Sequence, residues 1–182
     1  MKYVVIIAAL FSITACNSNH ADSTEQAKNV NKERFDTPME NDALFCTEAA
    51  AAGLTEVQLG ELALSRSGSE RVKDFGRSMK DDHTTANNEL KDLASKKGIA
   101  IPATLDKKGQ DAYDDLNKKS GADFDKAYMD QMVKDHEMVL KKFREEADDG
   151  KDAEIKAWAA TKVPVLEHHL QMARDLLNNL YE

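Results

Sequence analysis

The chain has 182 residues, with 33 Asp and Glu against 25 Lys and Arg, a formal charge of −8 and a mean hydropathy of −0.60. That length suits one domain. The acidic balance removes the electrostatic basis for binding nucleic acid or an anionic lipid surface, so a nucleic-acid partner is excluded.

The chain begins MKYVVIIAALFSITACNSN. Lys2 and the apolar run Tyr3–Thr14 have the form of a signal peptide, and the run is too short to span a bilayer comfortably. The closing ITAC resembles the bacterial lipoprotein signal, in which a branched residue and two small ones precede the modified cysteine. Residues 1–15 are then expected to be removed and Cys16 to carry the lipid, with several acyl chains giving stable anchorage. Asn17 stands where an aspartate would favour inner-membrane retention, so the expected place is the outer membrane, facing the periplasm. The alternative is an ordinary secretory signal that ends near a cysteine. With Cys16 used as the anchor, Cys46 has no intramolecular disulfide partner and reads as a small buried hydrophobe.

Residues 16–41 are polar and without helical period, which reads as a flexible tether with a reach of about 25–30 Å. A bundle domain is expected over 42–182. Four amphipathic segments are predicted, over 42–65, 70–97, 122–148 and 152–180, with Gly98 as a helix stop. Short turns join the first to the second and the third to the fourth, so each pair forms an antiparallel hairpin. The intervening residues 98–121 are too long for a tight turn and carry a short helical pattern near 107–118. The predicted fold is all-α: two hairpins joined by a long crossover containing a short helix, which is the ferritin-like up-down four-helix arrangement.

Each long segment places one ionisable residue on its inward seam. In the first, Phe45, Ala49, Ala52, Glu56, Leu59 and Ala63 share a face; in the second, Gly76, His83 and Leu90 do. The third aligns Met129, Met132, His136, Val139 and Phe143, and the fourth Leu166, His169, Ala173, Leu176 and Leu180. Counted from the turn at Gly68, Glu56 and His83 lie nearly level. From Gly150, His136 is fourteen residues away and His169 nineteen, a looser match that a kink at Pro164 would have to absorb.

Three imidazoles and a carboxylate converging in an apolar core suit one Zn, Cu or Fe ion, because burying them unpaired is costly. The same four residues also suit a metal-free hydrogen-bonded network. Asp82, Asp135 and Glu167 lie beside the histidines at about 100° around the helix and read as outer partners or surface groups. One residue of register would exchange His168 for His169, and Glu61 competes with Glu56 from a second apolar row. Met79, Met129 and Met132 read as core filler.

The blocks AAAAGLTEVQLGELAL, VKDFGRSMKDDHTTANNELKDLASKKGIAIPATL, SGADFDKAYMDQMVKDHEMVLKKF and KVPVLEHHLQMARDL resemble the bacterial domain-of-unknown-function 4142 family. The resemblance implies a ferritin-like fold in a periplasmic or outer-membrane protein. It maps the family's histidines onto His83, His136 and His169 and its helix-one glutamate onto Glu56, and it implies no activity. The residues three before the histidines are Lys80, Val133 and Leu166, so the Glu-x-x-His pairs of a di-iron centre are missing. The expected function is therefore metal handling or stress protection without turnover. The alternatives are a non-catalytic interaction lipoprotein with a metal-free polar core, and a redox enzyme if a coordination position stays open.

Overall fold

The computed structural model describes residues 22–180. The signal segment, Cys16 and the start of the expected tether lie outside them. Six helices follow in order: α1 Ser23–Arg34, α2 Thr37–Arg66, α3 Glu70–Lys97, α4 Lys107–Asn117, α5 Gly121–Asp149 and α6 Ala153–Asn179. The described residues are all-α; their only bridge outside helices joins Ser67 and Gly121. None of these helices is long and apolar enough to cross a membrane.

The predicted segments correspond to α2, α3, α5 and α6, and the short crossover helix to α4. The expected tether is the principal correction. Residues 23–34 are helical, and α2 starts five residues before the predicted boundary at 42. Asp22 caps α1 by accepting from the backbone of Thr24 and Glu25, and its other oxygen accepts from Lys107 N at the start of α4. Buried Asn31 then pairs with both backbone groups of Ala100 at 2.8 Å and with Thr47 Oγ1 at 3.0 Å. Polar groups dock α1, so no apolar period announces it. The start of α2 did carry a signal, since Asp36 is its N-cap, Pro38 lies in its first turn and Glu40 follows.

Each of the four long helices packs against two of the others: α2 on α3 and α5, and α6 on α5 and α3. Hydrogen bonds tie both ends of the α2–α5 contact. At one end the Asp42 carboxylate accepts from the backbone N–H groups of Lys151 and Asp152 at the α5–α6 turn. At the other, Ser67 Oγ donates to Asp125 on α5 at 2.5 Å. Gly98 ends α3 at φ 69°, a left-handed conformation that glycine adopts without penalty.

The core has two apolar clusters. One gathers Phe45, Leu90, Leu140, Phe143, Ile155 and Leu166 near the α5–α6 turn; the other gathers Leu59, Val72, Met79, Phe124, Met129 and Met132 near the α2–α3 turn. The three methionines are wholly buried filler, as expected. Cys46 is buried too, and burial pushes its thiol up to about 12, leaving it unreactive. Leu180, assigned to the inward seam of α6, is instead exposed at the helix end. Between the two clusters lies a polar layer.

Two glycines bring α2 and α3 together beside that layer. A Cβ on Gly60 would lie 2.6 Å from the Gly76 carbonyl oxygen, and one on Gly76 would lie 2.7 Å from Ala63 Cβ. A backbone atom cannot move aside cheaply. Gly60→Val is therefore expected to cost on the order of 2 kcal/mol despite its better helix propensity, measured by urea unfolding; a wild-type midpoint would refute the close approach.

Candidate metal centre

The polar layer consists of Glu56 on α2, His83 on α3, His136 on α5 and His169 on α6, with relative exposures of 2, 8, 0 and 1%. The imidazole ring centroids lie 5.5–5.9 Å apart. One ligand nitrogen from each histidine lies within 4.8 Å of those of the other two. The three histidines assigned to the centre from sequence are therefore brought together as one donor set, and Glu56 joins them through contacts with His83 and His136.

The uneven residue count on α5 and α6 has a geometric answer in two parts. The first is that α5 ends at Asp149 and α6 starts at Ala153, so the turn centres on residue 151 and the counts become about fifteen and eighteen. A helical side chain leans toward its own N-terminus, covering ground about one residue back. In an antiparallel hairpin the helix entering the turn leans away from it, and the helix leaving it leans toward it. That lean, the second part, lengthens the shorter count at His136 and at Glu56 and shortens the longer one at His169 and at His83, leaving His136 and His169 about one residue apart in level. α6 runs unbroken through Pro164, so no break is needed.

The outer nitrogens of two imidazoles are held. His136 Nδ1 lies 2.9 Å from the Met132 carbonyl oxygen, and because a carbonyl only accepts, that nitrogen carries the hydrogen. His169 Nε2 lies 2.9 Å from Asp82 Oδ2, which likewise accepts from it. In the neutral rings the lone pairs then fall on His136 Nε2 and His169 Nδ1. Both atoms are buried without a hydrogen-bond partner, as are His83 Nε2 and both Glu56 oxygens. His83 Nε2 stands 2.8 Å from Glu56 Oε2, close but poorly directed for a hydrogen bond, and Glu56 Oε1 lies 3.4 Å from His136 Nδ1.

The electrostatics put Glu56 and His169 in ligand-ready forms, while Glu56 holds His83 toward its protonated form, with a proton that an ion would have to displace. Burial acts to raise Glu56, but attraction from His83 and His136 outweighs it and holds the carboxyl at about 2, ionised at neutral pH. Burial acts to lower His83, yet the Glu56 charge lifts it above the usual imidazole value. Burial lowers His169 to about 4 against the opposing pull of Asp82, with His83 and His136 repelling its proton, so its ring is neutral. A neutral imidazole braced by a carboxylate or carbonyl on its far nitrogen is the form in which histidine binds metals.

The other residues singled out from sequence divide clearly. Asp82 is the brace on His169, while Asp135 is partly buried beside His136, hydrogen-bonded to Gln131 and 3.7 Å from Lys108. Glu61 is exposed and paired with Lys80, Glu167 is exposed and paired with Arg144, and His168 is exposed. Those three point away from the centre. Sequence reading missed Tyr128, two turns before His136, whose hydroxyl is buried and unpartnered. An aromatic at a core position gives no sequence sign that its hydroxyl lacks a partner.

Imidazole and carboxylate donors fit a borderline transition ion, and are too poor in oxygen for calcium or magnesium. The 4.8 Å span exceeds the roughly 3.3 Å edge of a tetrahedral site with bonds near 2.05 Å, so an ion would draw the rings inward. That is a loose set of donors, not a closed structural cage.

The cluster is expected to be maintained at a cost to stability. In metal-free protein, Glu56→Leu strands three imidazoles in the core and should lose about 3–5 kcal/mol. Replacing Glu56, His83, His136 and His169 together by apolar residues should give a protein at least as stable as wild type. Urea unfolding of both variants checks this; a quadruple variant that is much the weaker would mean the polar layer exists for the fold.

The model of a family described as domain of unknown function (DUF4142) matches residues 23–176. No curated protein and no solved structure matches the chain.

Proposed function

The chain belongs to the DUF4142 family, whose description assigns no activity, and we propose from its buried centre that it reversibly binds one Zn, Cu or Fe ion. Glu56, His83, His136 and His169 are the ligands, and Asp82 and the Met132 carbonyl are the outer braces. The observation that carries this is the pair of buried lone pairs on His136 Nε2 and His169 Nδ1, neither with a hydrogen-bond partner while their other nitrogens are already held. A purely structural network would supply a hydrogen for each acceptor.

The loose spacing of the three imidazoles supports handling or buffering of a metal over permanent structural use. The hairpin order and the α4 crossover support a ferritin-like bundle around the ion. The N-terminal sequence supports a place in the cell envelope, with Cys16 lipidated and the helices held at the outer membrane facing the periplasm.

Protein exported natively and untagged should carry close to one metal ion per chain by elemental analysis, and His83→Ala/His136→Ala should carry none. At an ion concentration of about 100 times Kd, wild type should gain about 2.7 kcal/mol of stability, a rise of several degrees in Tm. Metal-free protein whose Tm is unmoved by Zn²⁺, Cu²⁺ or Fe²⁺ would defeat the reading. For the anchor, labelled palmitate should be incorporated into wild type and lost in Cys16→Ser; equal labelling of both would place the lipid elsewhere.

A further inference from the structure

A cleft of about 290 Å³ opens between α2, α4 and α5, with the first turns of α1 at its mouth. It is the one cavity described that reaches the centre, and Glu56 is the one centre residue lining it. The three imidazoles lie behind Glu56. Small side chains on α2, Ala51 and Ala52, keep the cleft open, and Met138 and Val139 of α5 form the facing wall.

Acidic groups occur along the whole cleft. At the mouth, Glu48 is engaged by Lys28 at 3.5 Å and by Lys142. Asp106 is used as the cap of α4, accepting from Gly109 N at 2.7 Å. Deeper in, Asp135 keeps only a 3.7 Å contact with Lys108 besides its Gln131 hydrogen bond. At the bottom, both Glu56 oxygens are buried with no hydrogen-bond partner. Carboxylates thus line the cleft from mouth to floor, and the one at the floor, Glu56, is balanced only by the imidazoles behind it, so a cation meets an acidic group at each depth and an anion is opposed.

Resting on the metal reading above, we infer that this cleft is the path by which a divalent cation reaches and leaves the centre, with Asp135 as the first carboxylate and Glu56 as the second. Asp135 precedes His136 on α5, so a cation held there is already beside the imidazoles. Glu56 faces both the cleft and His83, so the same carboxylate receives the ion and passes it on. α4 roofs the path, and Gly109 permits its close approach: a Cβ there would lie 2.4 Å from Thr55 Oγ1.

The test is kinetic, on metal-free full-length protein mixed with Co²⁺ and followed by the absorbance of the cobalt–imidazole complex, with EDTA-driven release as the reverse. Asp135→Asn keeps the side-chain shape and is expected to slow loading by about tenfold. Ala52→Phe, which fills the cleft, is expected to slow loading and release by one common factor, leaving equilibrium affinity unchanged within about twofold. Glu145→Gln, the same loss of charge at an exposed position of α5, should load at the wild-type rate. Far-UV circular dichroism establishes that each variant is folded. Wild-type loading rates in both Asp135→Asn and folded Ala52→Phe would overturn the path while leaving the centre standing. Wild-type protein that takes up no Co²⁺ would overturn both.

Discussion

A single ionised carboxylate buried among three imidazoles is the constraint that organises this molecule. Glu56 lies at the level where its helix would otherwise contribute another apolar residue, and attraction to His83 and His136 keeps it charged there. A carboxylate in that position divides the core into an upper and a lower apolar cluster, each built from all four long helices. The close approach of α2 and α3 at Gly60 and Gly76 serves the same layer, because Glu56 and His83 must meet across it. The two hydrogen-bonded ties at Asp42 and Ser67 then limit how far α2 can slide against α5.

The outer partners of the histidines decide what the layer can do. An imidazole free to rotate and exchange tautomers is a weak and indefinite donor. Here the Met132 carbonyl and the Asp82 carboxylate each take one hydrogen and so leave one lone pair, aimed inward, on His136 and His169. Such preorganisation has little value to folding, since an apolar residue would fill the same volume without desolvating a polar atom. It has direct value to binding an ion. The spacing of the three nitrogens and the cleft leading to Glu56 are what the proposal of an exchanging site rests on.

The crossover and α1 appear peripheral in chain order but shape access to the centre. Asp22 caps α1 and also accepts from the first backbone N–H of α4, while Asn31 fastens α1 to the loop at Ala100. α4 in turn lies over the α2–α5 groove with Gly109 at the point of nearest approach. α1 is therefore joined to the roof of the cleft, which links the described segment nearest Cys16 to the opening over Glu56.

Sequence alone determined the all-α class, the four long helices to within a few residues, the short crossover helix and the four inward residues. A 3.6-residue period records which side of a helix is buried, and a polar residue interrupting an apolar seam stands out by that rule. The identity of Asp82 as a partner was half legible: adjacency to His83 marked it, but its hydrogen bond is to His169, on another helix. Only the tertiary structure decided three things. It made residues 23–34 a helix, because Asn31 and Asp22 dock through hydrogen bonds that leave no hydrophobic period. It showed that unequal counts to the α5–α6 turn still bring His136 and His169 level, because the turn is centred past Gly150 and side chains lean toward the N-terminus of their own helix. It also opened the cleft at Glu56, which depends on the space left between three helices and not on a pattern within any one of them.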